Sequence, residues 1–367
     1  MYDTTKRLSV DIGPRAAGTD GEKQARDFIE QMLRSYGYVV SEQQFPFDPT
    51  AYLPARVNAG ADGFPAIAFK GSAAGSATGQ LVVAGIGASG DVPATARGNI
   101  ALMKRGGVPF TEMVDNAVRQ GAAGVIIYNN QPGSLVGEAD AVDIPVVSLT
   151  QAVGQQLADR AAAEPTTVTV TVTPPRGTAY NVIAKPQGTT DCRTVTGGHY
   201  DSVPVTGGAD DNASGAASVI EVARLAAARR LGGANCFVLF SGEEFGLFGS
   251  KAFVAALTPA QMSTIRAMLN LDVVGVTTPL GLVGDADLVE QARVQAQRAG
   301  VTAEPSSLPP GASSDHASFR DAGVPVVMFT REDDVIHTTK DAMDRISADS
   351  LRDSVTAAYA TLASLQP

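Results

Sequence analysis

Apolar positions along the chain fall into two rhythms. Between Glu22 and Tyr36, residues Ala25, Phe28, Ile29, Met32 and Leu33 recur at helical spacing, which predicts an amphipathic helix capped by Thr19 or Asp20 and ended by Gly37. Tyr38 to Phe47 alternates as a strand does. From Tyr180 onward, apolar runs suited to strands (Val195–Gly198, Phe237–Phe240, Met268–Leu271, Val324–Phe329) are interleaved with helical patterns over Ala213–Arg230, Ser250–Leu257, Ala286–Gly300 and from Ala348. This alternation predicts an α/β fold, a three-layer αβα sandwich around a largely parallel mixed sheet. In open sheets of that kind, ligand sites gather beyond the C-terminal ends of the strands.

The middle of the chain has another character. From about Pro49 to Pro165 glycine, alanine and valine dominate, charge is sparse, and neither histidine nor cysteine occurs. Residues 49–174 therefore read as a module inserted into a catalytic domain made of 1–48 and 175–367. Gln80–Ile86, Asn99–Lys104, Gly124–Tyr128 and Ile144–Leu149 suit buried strands, and Phe110–Gln120 a helix. The stretch Arg105-Gly-Gly-Val-Pro-Phe-Thr-Glu-Met-Val-Asp-Asn-Ala, then Gly121-Ala-Ala-Gly-Val-Ile-Ile-Tyr-Asn and Asp143-Ile-Pro-Val-Val-Ser, resembles the protease-associated domain inserted in many peptidases. The plainer reading is an α/β packing module, and neither reading gives it catalysis.

Composition narrows the partners. The 367 residues suit two domains, or one large domain with an insertion. With 44% hydrophobic and 18% charged residues, and no run near the roughly 18 apolar residues of a membrane helix, no membrane span is expected. The formal charge of −10 is spread along the chain and the basic residues form no stripe, which argues against nucleic acid as a partner. Met1 to Gly13 holds no apolar stretch long enough for a secretory signal. Two cysteines, Cys192 and Cys236, lie at the starts of apolar runs, so a disulfide and a pair of buried thiols are both open. They permit export, and a secreted or periplasmic location is the expectation. A zinc role for them is disfavoured, because no Cys-x-x-Cys spacing exists.

The chemistry lies in the second half. Only three histidines occur, His199, His316 and His337, all beside carboxylates. Asp201 follows His199 by two residues, a spacing that places a carboxylate against the ring nitrogen not used for a metal. Further on, Gly208-Ala-Asp-Asp-Asn-Ala-Ser-Gly sets two carboxylates, Asp210 and Asp211, in a glycine-bounded loop that runs into the Ala213 helix. Taken alone, that loop reads as a turn with a helix cap. The Phe237–Phe240 run ends in Ser241-Gly-Glu-Glu-Phe-Gly, so that Glu243 and Glu244 can divide metal binding and proton handling. Asp272 closes another buried run, where a carboxylate needs a partner. With His337 after the Val324 run, five nitrogen and oxygen donors (His199, Asp211, Glu244, Asp272, His337) fall beyond four strands. Imidazoles among them favour zinc.

The ordered motifs His-x-Asp, Gly-x-Asp-Asp-x-x-Ser-Gly, Ser-Gly-Glu-Glu-x-Gly-x-x-Gly-Ser, Asn-x-Asp, Ser-Asp-His and Ile-His-Thr resemble those of the bacterial co-catalytic di-zinc aminopeptidases, in the subset with a protease-associated insertion. The likeness runs from Arg15 to Arg345. It implies two zinc ions, with His199 and Asp272 completing one site, Glu244 and His337 the other, and Asp211 bridging both. Glu243 would be the general base acting on a water or hydroxide shared by the metals, and Asp201 the carboxylate behind His199. A cis peptide after Asp211 is also implied. The expected substrates are peptides with a free N-terminus and a neutral or hydrophobic first residue such as leucine.

One departure stands out against that pattern. Relatives place an oxyanion-stabilising tyrosine just before the last histidine or shortly before Ser-Asp-His, where this chain has Ile336 and Gly311. The role would pass to zinc or to a tyrosine such as Tyr200. Ser314, Asp315 and His316 are expected to support the site from behind. Two rivals remain, a related di-zinc carboxypeptidase, with Arg320 and Arg331 near enough in sequence to read a carboxylate, and an inactive binding protein. Oligomeric state is not legible.

Overall fold

The computed structural model describes residues 1–47, 53–132, 135, 137–173, 177–309 and 312–366. The chain divides into two compact units, one of Met1–Phe47, Arg176–His337 and Asp341–Pro367, the other of Asp48–Pro175 and Thr338–Lys340. The expected module boundaries, between 48 and 49 and between 174 and 175, lie outside the described residues.

The first unit is built on an eight-stranded mixed sheet. Across it the strands run Val39–Pro46, Thr178–Lys185, Asn235–Phe240, Thr194–His199, Ala267–Leu271, Val326–Thr330, Leu280–Gly284 and Ala303–Pro305. The four strands from Asn235–Phe240 to Val326–Thr330 are mutually parallel, while Val39–Pro46, Thr178–Lys185 and Leu280–Gly284 join by antiparallel pairings. Side chains alternate between two cores, as the period of a strand requires. Phe237, Leu239, Leu269 and Leu271 enter one cluster with Ile29 and Leu33 of the helix Asp20–Ser35, Val219 of the helix Gly215–Ala228 and Leu351 of the helix Ala348–Ser364. Cys236, Val238, Phe240 and Met268 enter the other with Phe253 of the helix Phe248–Ala256 and Phe319 of the helix His316–Asp321. Helices thus cover both faces of the sheet.

Local signals set most of these elements. Thr19 caps the first long helix, its side chain accepting from the Glu22 amide, which satisfies one of the orphan donors of a helix start. Cys192 and Cys236 are joined as a disulfide, with Cα atoms 5.5 Å apart. Cys236 pairs in register with Val195, so the bridge ties the entry ends of two neighbouring parallel strands.

The second unit is a closed barrel of seven strands, in the order Pro54–Ala59, Asp62–Ala68, Val146–Leu149, Gly124–Tyr128, Ile100–Lys104, Gly75–Val83 and Thr167–Val172. The sequence reading named four of these strands and did not address closure; the structure adds Pro54–Ala59, Asp62–Ala68 and Thr167–Val172. Pro54 and Pro65 mask two of the missed strands, since proline demotes a run to an edge or a non-strand. Closure comes from Thr167–Val172, which pairs with both Pro54–Ala59 and Gly75–Val83. Among the described residues, no helix is long and apolar enough to cross a membrane.

Candidate metal centre

The site is assembled beyond the C-terminal ends of the four parallel strands. His199 is the last residue of its strand, Glu243 and Glu244 follow Phe240, Asp272 follows Leu271, and His337 lies in the loop after Thr330. Asp211 arrives from the tight turn Ala209–Ser214, where the Asp211–Asn212 peptide is cis. Asn212 fastens that turn to the neighbouring strand, its Nδ2 donating to the Leu271 carbonyl at 3.0 Å and its Oδ1 accepting from the Gly215 amide at 2.8 Å. Glycine is required at 208, where the backbone is left-handed (φ 53°) and a Cβ would overlap the Asp211 carbonyl.

The seven residues given metal, base or supporting roles, His199, Asp201, Asp211, Glu243, Glu244, Asp272 and His337, lie close together. His199 Nε2 lies 3.2 Å from Asp211 Oδ1 and 3.2 Å from Asp272 Oδ1. His337 Nε2 lies 3.0 Å from Asp211 Oδ2 and 3.0 Å from Glu244 Oε2. Asp211 therefore gives one oxygen to each imidazole. A ring nitrogen carries at most one hydrogen and cannot serve two carboxylates at once. Donor separations of this size match the edge of a tetrahedron with bonds of about 2.0–2.1 Å, roughly 3.3 Å, so the groups fit zinc. Glu243 stands one step further out, with Oε2 4.0 Å from His199 Nε2. Donor atoms of His199, Asp211 and Glu244 all lie within 4.8 Å of one another, as do those of His199, Glu243 and Asp272. The shorter pairings separate Glu243 from the rest.

Asp201 lies on the other side of the His199 ring. Nδ1 is 3.2 Å from the Asp201 carbonyl and 3.5 Å from its Oδ1, which keeps the Nδ1 hydrogen behind the ring and leaves Nε2 as a lone pair. The same Oδ1 accepts from the Glu243 amide at 3.3 Å.

Electrostatics reflect this concentration of acid. Burial would raise Asp211, but hydrogen bonds from His199 and His337 outweigh it and hold the carboxyl below its ordinary range. Burial pushes Glu244 up to about 7, against the pull of His337. Burial also raises Glu243 well above the usual carboxylate range, with Asp272 and Asp315 adding to the effect. His337 is pushed up to about 12, chiefly by Glu244. Five carboxylates around two imidazoles make a charge surplus that a divalent cation would neutralise.

Tyr200 does not reach the site. It is wholly buried, and its hydroxyl donates to the Tyr180 carbonyl at 2.7 Å and lies 3.0 Å from Glu22 Oε1. The expectation that it stabilises an oxyanion is thereby corrected, because the side chain is spent on the scaffold. Gly311 lies outside the described residues. Asn270 Nδ2 donates to Ser314 Oγ at 2.8 Å, and Asp315 is wholly buried and pushed up to about 7 by that burial. His316 belongs to neither imidazole set; burial lowers it to about 4 and keeps it neutral.

Two supporting residues escaped the sequence reading. Asp341 accepts from the amides of Asp210 and Asp211 at 2.6 and 3.1 Å. Arg15 is wholly buried and donates to the carbonyls of Tyr200 (2.8 Å), Gly207 and Gly208, which fixes the loop between His199 and Asp211. Asp341 had a local signal, as it ends the segment that carries His337. Arg15 had none.

Known proteins share this arrangement of sequence and fold. The pattern of peptidase family M28 matches residues 181–362, and that of the PA domain residues 77–157. Aminopeptidase YwaD of Bacillus subtilis is 34% identical over 391 aligned positions, covering 97% of this chain and 83% of that protein. Leucine aminopeptidase 2 of Trichophyton rubrum is 32% identical over 74% of this chain and 57% of its own length. The structure of BSAP, a zinc aminopeptidase from Bacillus subtilis, superposes with a TM-score of 0.74 at 28% identity, covering 98% of this chain and 93% of that one.

Proposed function

The chain belongs to peptidase family M28, and from that membership we propose that it is a zinc aminopeptidase hydrolysing the N-terminal peptide bond of peptides with two zinc ions. The observation that carries this reading is the division of Asp211, one oxygen toward His199 and the other toward His337. His199, Asp272 and Asp211 would hold one ion, and His337, Glu244 and Asp211 the other. Two bound zinc ions would supply Lewis-acid polarisation of the scissile carbonyl and a nucleophilic water near neutral pH.

The chain's own residues do the rest. Glu243 takes the water proton and passes it to the leaving amine, general acid–base work for which a largely buried carboxyl beside the donor sets is placed. Asp201 orients His199 and, through the Glu243 amide, ties the base to the imidazole it works beside. The acidic surroundings attract the substrate's α-ammonium group. A neutral or hydrophobic first residue, leucine among them, accords with the apolar residues flanking the motifs and with the name of the fungal relative. The Cys192–Cys236 disulfide favours an exported protein.

The test is hydrolysis of a panel of aminoacyl chromogenic amides with and without chelator, followed by zinc add-back, beside peptides blocked at one end. Loss of activity with chelator and its return with zinc is expected, as is inertness of N-blocked peptides. Cleavage of N-blocked peptides as fast as free ones would favour a carboxypeptidase instead. Chelator-resistant turnover would remove the metal from the reaction.

A further inference from the structure

We infer that Phe47 is a positioning residue for the turn that carries Glu243, which makes the stem of the inserted unit part of the catalytic apparatus. Phe47 is the last described residue before the insertion, and its side chain is 1% exposed. Its ring packs edge-to-face on Phe245 and Phe248, with centroids 5.2 and 5.4 Å away. It also faces Gly242: a Cβ on that residue would lie 3.3 Å from Phe47 Cε2. The ring thus touches the residue before Glu243, the residue after Glu244, and the first residue of the following helix.

The flanks of the turn are anchored, Ser241 by its amide on Asn181 Oδ1 and its hydroxyl on Glu22 Oε1, and Gly249 by its carbonyl accepting from Asn181 Nδ2. The turn closes on itself through Gly246 and Leu247 amides donating to the Glu243 carbonyl and the Phe248 amide donating to Gly242. Such bonds shape the turn without fixing where it sits. Between those flanks, placement comes from the Glu243 amide on Asp201, the Val203 amide on Glu244 Oε1, and the Phe47 ring against Gly242, Phe245 and Phe248. Phe47 is itself held by its amide, which donates to the Gly177 carbonyl at 3.1 Å. That bond extends the antiparallel pair Val39–Pro46 with Thr178–Lys185, whose strands are the outgoing and returning stems of the insertion. Removing the ring would leave the turn free to shift, and a displacement of about 1 Å can cost on the order of 100-fold in rate.

This inference rests on Glu243 acting as the proposed base. The experiment compares Phe47→Ala, Phe47→Leu and, as a control cavity, Leu362→Ala in the closing helix, at a temperature where circular dichroism shows each folded. Phe47→Ala is expected to lower kcat about 10- to 100-fold with KM little changed. Phe47→Leu should recover much of the loss, and Leu362→Ala should keep wild-type kcat while lowering Tm. Wild-type kcat in Phe47→Ala, or an equal loss of kcat in Leu362→Ala, would overturn the inference. If Glu243→Gln were fully active the reading of the base would fail first; an inactive Glu243→Gln beside a normal Phe47→Ala would sink this inference alone.

Discussion

Replacing Glu243 by glutamine isolates the proton-transfer role from metal binding. The change is nearly isosteric, and the backbone bonds of the turn, from the Gly246 and Leu247 amides to the 243 carbonyl and from the 243 amide to Asp201, are untouched. At 4.0 Å from His199 Nε2, Glu243 lies outside the 3.0–3.2 Å pairings that define the two donor sets. Zinc content should therefore stay at the wild-type value. What disappears is a base whose contribution is typically about 10²- to 10⁴-fold, or about 3–5 kcal/mol of transition-state stabilisation. Steady-state hydrolysis of leucyl chromogenic amide, run beside metal analysis of the same preparation, gives both quantities. Turnover above a tenth of wild type would refute the assignment, and loss of zinc together with activity would make Glu243 a ligand.

Other substitutions probe the remaining parts. Asp211→Asn should lower zinc binding at both positions together, read as two ions lost per chain by metal analysis; loss of one ion alone would argue against a shared ligand. Asp201→Asn should weaken zinc binding about 10- to 100-fold, as loss of a carboxylate behind a metal-bound imidazole does, measured by chelator competition. Opening the disulfide with Cys192→Ser and Cys236→Ser frees a loop with a sequence separation of 44, for which loop entropy gives about 4 kcal/mol; an unchanged denaturant midpoint would exclude that contribution. In chelated protein, Asp210 is pushed up to about 8 and Asp341 to about 6, both chiefly by burial. Carboxyls whose folded pKa is raised contribute stability present below about pH 4 and lost as pH climbs through those values, so the melting temperature with chelator should fall between pH 5 and pH 8. A rise over that window would contradict the sign.

Much of the centre was legible because most of its groups end an apolar run or lie in the loop that follows one. Only three histidines occur in the chain; of the two that pair with carboxylates, His199 ends such a run and His337 lies in the loop after another. A strand that ends in His199, or runs into Asp272 one residue later, announces where its last side chain goes; parallel neighbours in register then bring those ends to one edge. The barrel was less legible for the opposite reason. Its closing strand, Thr167–Val172, alternates threonine and valine strictly, yet alternation shows a half-buried strand without naming its two partners. Leu280–Gly284 and Ala303–Pro305 are too short, and too rich in glycine or proline, to stand out from loops.

Side chains that hold the site in place were the hardest to read, and the physical cause is sequence distance. Arg15 bonds the Tyr200 carbonyl across 185 residues, and Asp341 receives the Asp210 amide across 131. Neither partner is a side chain, so no complementary residue type marks the pairing. Residue type gives no hint either: arginine is ordinarily exposed, whereas burial here lowers the Arg15 pKa to about 10 and carbonyl oxygens solvate it. A buried guanidinium held by carbonyls from both sides of a loop fixes that loop more firmly than hydrophobic packing, which has no direction. The loop in question joins His199 to Asp211, the two groups whose spacing decides whether one carboxylate can serve two ions. Metal chemistry at the strand ends thus depends on backbone positions that only the folded chain brings under control.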